Sequence, residues 1–250
     1  MCGVAGLVSR RGSPDLSALE RIQNRLRLRG PDDSGMHVDG AVALAHTRLS
    51  IIDLAGGRQP LEDRDRRHVL VANGEIYNFP IIRGFFESEG YSFSTHSDCE
   101  VILPLYARDG SACVKSLRGM FAFALWDTEQ RKLMLARDRM GEKPLYYTFN
   151  DDYFIFASEL RALLASGLVE SALCPRQIAR YFRYQYVPEP FTPFKAIHKV
   201  PAASILELDV DAWTLNDRRY WSPWDSPTLY GFPQRVLRES LEDAVDVSLV

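Results

Sequence analysis

Two hydrophobic periodicities alternate along most of this chain. Residues 2–8 form a run of small and apolar side chains, which suits a buried strand starting at the chain's first residues. Leu16, Leu19, Ile22 and Leu26 then fall on one face of a helix predicted over 16–28, with Pro14 ahead, a Ser17-x-x-Glu20 capping box and Gly30–Pro31 behind. Runs of strand-forming composition follow at 41–46, 68–72, 120–126, 132–136, 145–149 and 153–157, spaced as hairpins are. Helices are predicted between them at 79–89 and from Ser97, where Ser97-x-x-Glu100 repeats the capping-box pattern. Strand runs flanked by helices favour antiparallel sheets covered by helical layers. The aromatic stripe Phe121, Phe123 and Trp126 reads as core.

After Ser158 the texture changes. A short helix to Leu164 and another over 175–184 precede a Pro-rich stretch, 187–201, that reads as a connecting arm. Over 233–250, Val236, Leu237, Leu241, Ala244 and Val245 recur at helical spacing behind Pro233, and no stop signal follows. The apolar face of that helix is expected to pack on a surface outside these residues. Two units are therefore expected, 2–200 and 201–250.

Composition narrows the class. With 250 residues, 46% hydrophobic and 25% charged, the chain can bury one substantial core or two small ones. A net charge of −3, with acids and bases interspersed, gives no basic field for nucleic acid. Arg64, Arg66 and Arg67 are interrupted by Asp63 and Asp65 and read as a solvated turn. Four dispersed cysteines and five histidines without ligand spacing suggest neither a disulfide framework nor a metal site. Arg10 and Arg11 follow the first apolar run, opposite to a secretory signal, and no run reaches membrane-spanning length. A cytoplasmic location without membrane contact is expected.

Candidate chemistry concentrates at the start, MCGVAGLV. Removal of Met1 would place a thiol and a free α-amine on Cys2. A free thiol is only about 3% ionised at pH 7, whereas roughly a tenth of an α-amine is neutral, so the amine can take the thiol proton. That is an N-terminal nucleophile needing no separate histidine. Taken alone, Cys2 reads sooner as a buried small hydrophobe. Asn73–Gly74 alone reads as a hairpin turn, Arg48 as a surface charge, and Asp98 as an acid in a helix's first turn.

The wider pattern changes these readings. MCGVAG at 1–6, RGPDDSG at 29–35, HTRLSIIDL at 46–54, NGEIYN at 73–78 and SDCEVIL at 97–103 occur in order. LRGMFAFALWD at 117–127, ARDRMGEKPLYY at 136–147 and FASELRALL at 156–164 continue the series. In these motifs the chain resembles the class II glutamine amidotransferases related to glutamine-hydrolysing asparagine synthetases. The resemblance implies an α+β fold of the Ntn-hydrolase type, a four-layer αββα sandwich of two antiparallel sheets, followed by the start of a truncated α/β synthetase domain. It implies Cys2 as nucleophile, Asn73 and Gly74 as the oxyanion hole, and Arg48 for the substrate's α-carboxylate. Asp98, with Glu75, would receive the ammonium, while Leu49, Ser50, Ile51 and Ile52 would line the pocket. Arg29 and Asp32 would support the nucleophile's neighbourhood.

The implied reaction converts L-glutamine to glutamate and ammonia through a Cys2 thioester, with no metal or cofactor for that step. In a full-length enzyme the ammonia would amidate aspartate in a second domain using ATP and Mg2+. That domain's SGGxDS signature does not occur among these 250 residues, so the chain reads as a fragment or truncated product. Partners would be glutamine, the synthetase domain and, left open, a second copy. Two rivals remain: an amidotransferase feeding an amino sugar, polysaccharide or peptide, and a glutamine-binding regulatory module.

Overall fold

The computed structural model describes residues 1–51, 53, 56–225 and 233–248. In chain order its elements are β1 (Gly3–Ser9), α1 (Leu16–Leu26), β2 (Asp33–Asp39), β3 (Val42–Arg48), β4 (Leu61–Glu62), β5 (His68–Ile76) and α2 (Phe79–Ser88). A short 3-10 turn, Asp98–Val101, leads into α3 (Ile102–Asp109). Then come β6 (Gly119–Asp127), β7 (Lys132–Arg137), β8 (Tyr146–Phe149), β9 (Tyr153–Ala157), α4 (Leu160–Ala165), α5 (Pro175–Tyr184), β10 (His198–Lys199), β11 (Ser204–Asp209), β12 (Thr214–Arg219) and α6 (Pro233–Ser248).

The strands form two six-stranded sheets, ordered β10-β8-β9-β1-β3-β2 and β12-β11-β7-β6-β5-β4, with antiparallel ladders throughout. Strand alternation sorts the apolar side chains into three buried layers. Val4, Val8, Val42 and Leu44 of the first sheet meet Val69, Val71, Ala124 and Trp126 of the second. The opposite faces carry Ala5 and Leu7 against α1 and α4, and Leu70, Phe121 and Phe123 against α2 and α3. Three apolar layers between four structural ones make an αββα sandwich. The expected aromatic stripe is therefore split: Phe121 and Phe123 face the helices, and Trp126, of opposite parity, faces the sandwich interior. Its indole N–H donates to Asp39 Oδ2 at 2.8 Å, tying β6 to an edge strand of the other sheet.

Several expectations give way to tertiary structure. Ser17 does not cap α1; the N-cap is Asp15, whose carboxylate accepts from Ala18 N at 2.9 Å. Ser97 does cap its turn, accepting from Cys99 N at 3.3 Å. Glu100, however, bonds Ser94 N, Thr95 N and the Thr95 hydroxyl instead of closing a box. β2 lacked a legible strand pattern because most of its residues are only half-buried. The Pro-rich arm is not free, since β10 pairs with β8 and Ile197 and Val200 are fully buried. Past the expected boundary at 200, β11 pairs with β7 and β12 with β11, so the second sheet continues to Arg219. β12 escaped notice because an outer strand with mostly exposed residues has no apolar face to alternate. On α6, Leu237, Leu241 and Val245 are more than half exposed.

The cap assignment is testable. Asp15→Ala should lower unfolding stability by about 1 kcal/mol, and Ser17→Ala by less than about 0.5, in urea titrations. The reverse order would restore Ser17 as the cap.

Candidate active site

β1 fixes the position of Cys2. It is buried on both faces and laddered on both edges, to β3 and β9. Gly3 pairs with Thr47, so Cys2 lies one residue beyond the ladder, beside the β3 end that carries Arg48. Arg29 Nε donates to the Cys2 carbonyl at 3.1 Å and its Nη1 reaches Glu159 at 3.4 Å. Val4 N donates to the Ser158 hydroxyl at 3.0 Å. Asp32 accepts from Ser50 N at 2.7 Å, holding the segment after β3.

The cavity beside Cys2 has a volume of about 240 Å³ and is also lined by Arg48, Leu49, Ile51, Asn73, Gly74, Glu75 and Asp98. Ser50 is not among its lining residues, and Ile52 lies outside the described residues. Met1 lines the mouth and is 56% exposed. Sequence reasoning missed Gly57, Gln59, Ser97, Cys99, Met120 and Lys143. Gly57, Gln59, Met120 and Lys143 reach the cavity through tertiary placement that no local spacing announces, whereas Ser97 and Cys99 flank Asp98.

Asn73 and Gly74 do not form a turn. They lie within β5, opposite Ala122 and Phe121 of β6. A Cβ on Gly74 would come within 2.7 Å of the Met120 carbonyl and 2.8 Å of Phe121 Cβ, so close packing of β6 requires glycine here. Asn73 is 2% exposed, and among the described residues its Nδ2 has no hydrogen-bond partner. A buried amide donor costs about 1–3 kcal/mol when unpaired. In a cavity, it is a donor held ready for a ligand oxygen.

The peptide just before Asn73 is held from two directions. β4 is only two residues long and pairs no further than Leu70, which leaves the β5 edge at Ala72 without a strand neighbour. Gln59 substitutes for one: its Oε1 accepts from Ala72 N at 2.6 Å and its Nε2 donates to Ala72 O at 3.1 Å. His46 Nε2 lies 3.0 Å from the same carbonyl, across from the other sheet, and acts as donor because a carbonyl can only accept. Burial lowers the His46 pKa to about 4 and keeps the ring neutral.

Charges line the rest. Arg48 is buried, with its guanidinium donating to the Asp53 carbonyl. Gly57 leaves it room, since a Cβ there would lie 2.7 Å from Arg48 Nη2. Asp98 accepts from Ile76 N at 2.7 Å and from the Cys99 thiol at 3.7 Å. Burial raises the Asp98 pKa, partly offset by these backbone bonds. Burial also raises the Cys2 thiol pKa, opposed by the Leu49 backbone, the nearby N-terminus and Arg48; the thiol itself donates to Leu49 O at 3.7 Å. A thiol held mainly protonated needs a base to attack anything.

Fold and site together place the protein in a class. The chain belongs to the glutamine amidotransferase domain family, whose model matches residues 1–221. It is 34% identical over 257 residues to glutamine-hydrolyzing asparagine synthetase 3 of Bacillus subtilis (strain 168), covering 100% of this chain and 42% of that protein. Against asparagine synthetase 1 of the same organism it is 38% identical over 256 residues, covering 100% and 40%. The chain thus spans about two fifths of these relatives' length. Its fold is that of the glutamine phosphoribosylpyrophosphate amidotransferase of B. subtilis, with a TM-score of 0.63 at 20% identity, over 88% of this chain and 49% of that one. This shared fold agrees with the four-layer αββα sandwich of two antiparallel sheets expected from the sequence. Among the described residues no helix is long and apolar enough to cross a membrane.

The His46 pKa carries a sign. Its folded value lies below the ordinary 6.5, so the unfolded chain binds the extra proton and the neutral ring's contribution is present above pH 6.5. It is lost as pH falls towards 4, a loss approaching about 3 kcal/mol. Urea midpoints should therefore drop further between pH 7 and pH 4.5 for the wild type than for His46→Gln. Equal drops would mean that His46 is not held neutral.

Proposed function

We propose that this chain hydrolyses L-glutamine to glutamate and ammonia at the Cys2 cavity. The observation that carries the reading is the unpartnered Asn73 amide in the same buried cavity as the Cys2 thiol. Loss of Met1 from the cavity mouth frees the Cys2 α-amine, which takes the thiol proton as sulfur attacks the γ-amide carbon. The carbonyl oxygen becomes an oxyanion, and Asn73 Nδ2 with Gly74 N–H donates to it; one such donor is worth roughly 3 kcal/mol. Collapse expels ammonia, which leaves with the proton returned by the amine, and a γ-glutamyl thioester remains. Water, deprotonated by the same amine, adds to that thioester and releases glutamate and the thiol.

Substrate selection uses one charge for each end of the amino acid. The Arg48 guanidinium fits the α-carboxylate as a planar fork that lysine does not offer. Asp98 and Glu75 receive the α-ammonium. Three such groups around an amide-sized cavity favour a free amino acid over a peptide.

The ammonia acceptor is aspartate in this reading, supported by the names of the longer relatives and by the helical α6, whose exposed apolar residues suit a covering domain. ATP and Mg2+ would act in that domain. Among the described residues no cluster of three His, Cys, Asp or Glu is placed to hold a metal ion, and no glutaminase step is routed through one. Aspartate, ATP and Mg2+ should leave this chain's glutaminase rate unchanged; aspartate-dependent AMP formation by the 250 residues would overturn that division.

Mutant kinetics test the site. Cys2→Ala should abolish ammonia release. Arg48→Ala should chiefly raise KM for glutamine, and Asn73→Ala should chiefly lower kcat, by roughly a hundredfold. If Asn73→Ala keeps kcat within a factor of about three, its amide is not an oxyanion donor. Intact mass of active protein should show loss of Met1.

A further inference from the structure

We propose that Lys143 is the cationic element of a subsite for the carboxylate that hydrolysis creates, so that the cavity grips glutamate by a group that glutamine does not engage. The proposal rests on the glutamine reading above and extends it to the product. Four charged side chains line the cavity: Arg48, Lys143, Glu75 and Asp98. An α-amino acid matches Arg48 with its carboxylate and the two acids with its ammonium. Lys143 is left over. It is 9% exposed, and its ammonium has no hydrogen bond or ion pair among the described residues. A basic side chain lining a cavity with no anion beside it leaves room for a ligand's negative charge.

The backbone ties Lys143 to the strand that pairs with Gly74. Gly74 pairs with Phe121 across the β5–β6 ladder. Phe121 N donates to Asp138 Oδ2 at 3.2 Å, and the same oxygen accepts from Lys143 N at 3.0 Å. Asp138 Oδ1 takes Met140 N and Glu142 N at 3.0 and 2.9 Å. From the other side the buried Arg137 donates to the Lys143 carbonyl at 2.7 Å and to the Gly141 carbonyl. One carboxylate and one guanidinium thus fix both backbone groups of Lys143, one strand away from the Gly74 N–H assigned to the oxyanion. A cation in that position meets the γ end of the bound amino acid. There the substrate carries a neutral amide and the product a full negative charge.

The consequence is selective affinity for glutamate, and hence product inhibition set by one residue. Equilibrium binding of glutamate and of glutamine by calorimetry, in a Cys2→Ala background where no turnover occurs, reads it directly. Adding Lys143→Met should weaken glutamate at least tenfold and glutamine no more than threefold, while Lys143→Arg should keep glutamate within threefold of the parent. Equal weakening of both ligands would mean that Lys143 merely shapes the cavity, and no weakening of glutamate would mean that its charge does not meet the γ-carboxylate. Either result overturns the subsite while leaving the glutamine reading intact. Failure of the Cys2→Ala parent to bind either amino acid would instead overturn the glutamine reading, and the subsite with it.

Discussion

A chain terminus normally frays, and the proposed chemistry depends on one that is held. β1 lies inside the first sheet with ladders to β3 and β9 and with both faces buried. Its first ladder pair, Gly3 with Thr47, leaves no slack before Cys2. Arg29 clamps the Cys2 carbonyl and Ser158 the Val4 amide. A nucleophile whose base is its own α-amine must hold both groups at the substrate together, and a laddered strand clamped by the Arg29 and Ser158 side chains meets that need.

The second sheet supplies the complementary half. β5 runs past the point where β4 ends, so its outer edge at Ala72 would be bare; Gln59 fills that edge and His46 reaches it from the opposite sheet. This bracing fixes the strand immediately before Asn73, whose amide remains buried and uncommitted. The cost of leaving one donor unpaired is small beside the apolar burial of three core layers, so the fold tolerates the strain of a preorganised site.

Much of this was legible in the residues. The 3.6-residue spacing of α1 and the β-type runs of β6, β7 and β9 report burial directly, because each has one uniform set of buried positions. Asn73–Gly74 in isolation reads as a turn because the dipeptide's turn preference is local, while its strand placement comes from nine cross-strand pairs between β5 and β6. Gln59 and Lys143 were invisible for a related reason: each acts through a partner far away in sequence, Ala72 for one and the Asp138 cradle for the other. Asp15 displaced Ser17 as cap because either fits the local pattern and only the chain's entry into α1 decides between them. The proposed nucleophile, Cys2, was the sharpest signal, since a thiol next to the initiator methionine would gain a base that no other position offers.

The central claim is that Cys2 carries the glutamyl group during turnover. Acid quenching of the mature protein during steady-state glutamine hydrolysis, followed by peptide mass spectrometry, tests it most directly. The account predicts an acid-stable γ-glutamyl thioester on the peptide that begins with Cys2, absent without glutamine. The same adduct on Cys99, or full-rate ammonia release by Cys2→Ala protein, would contradict it.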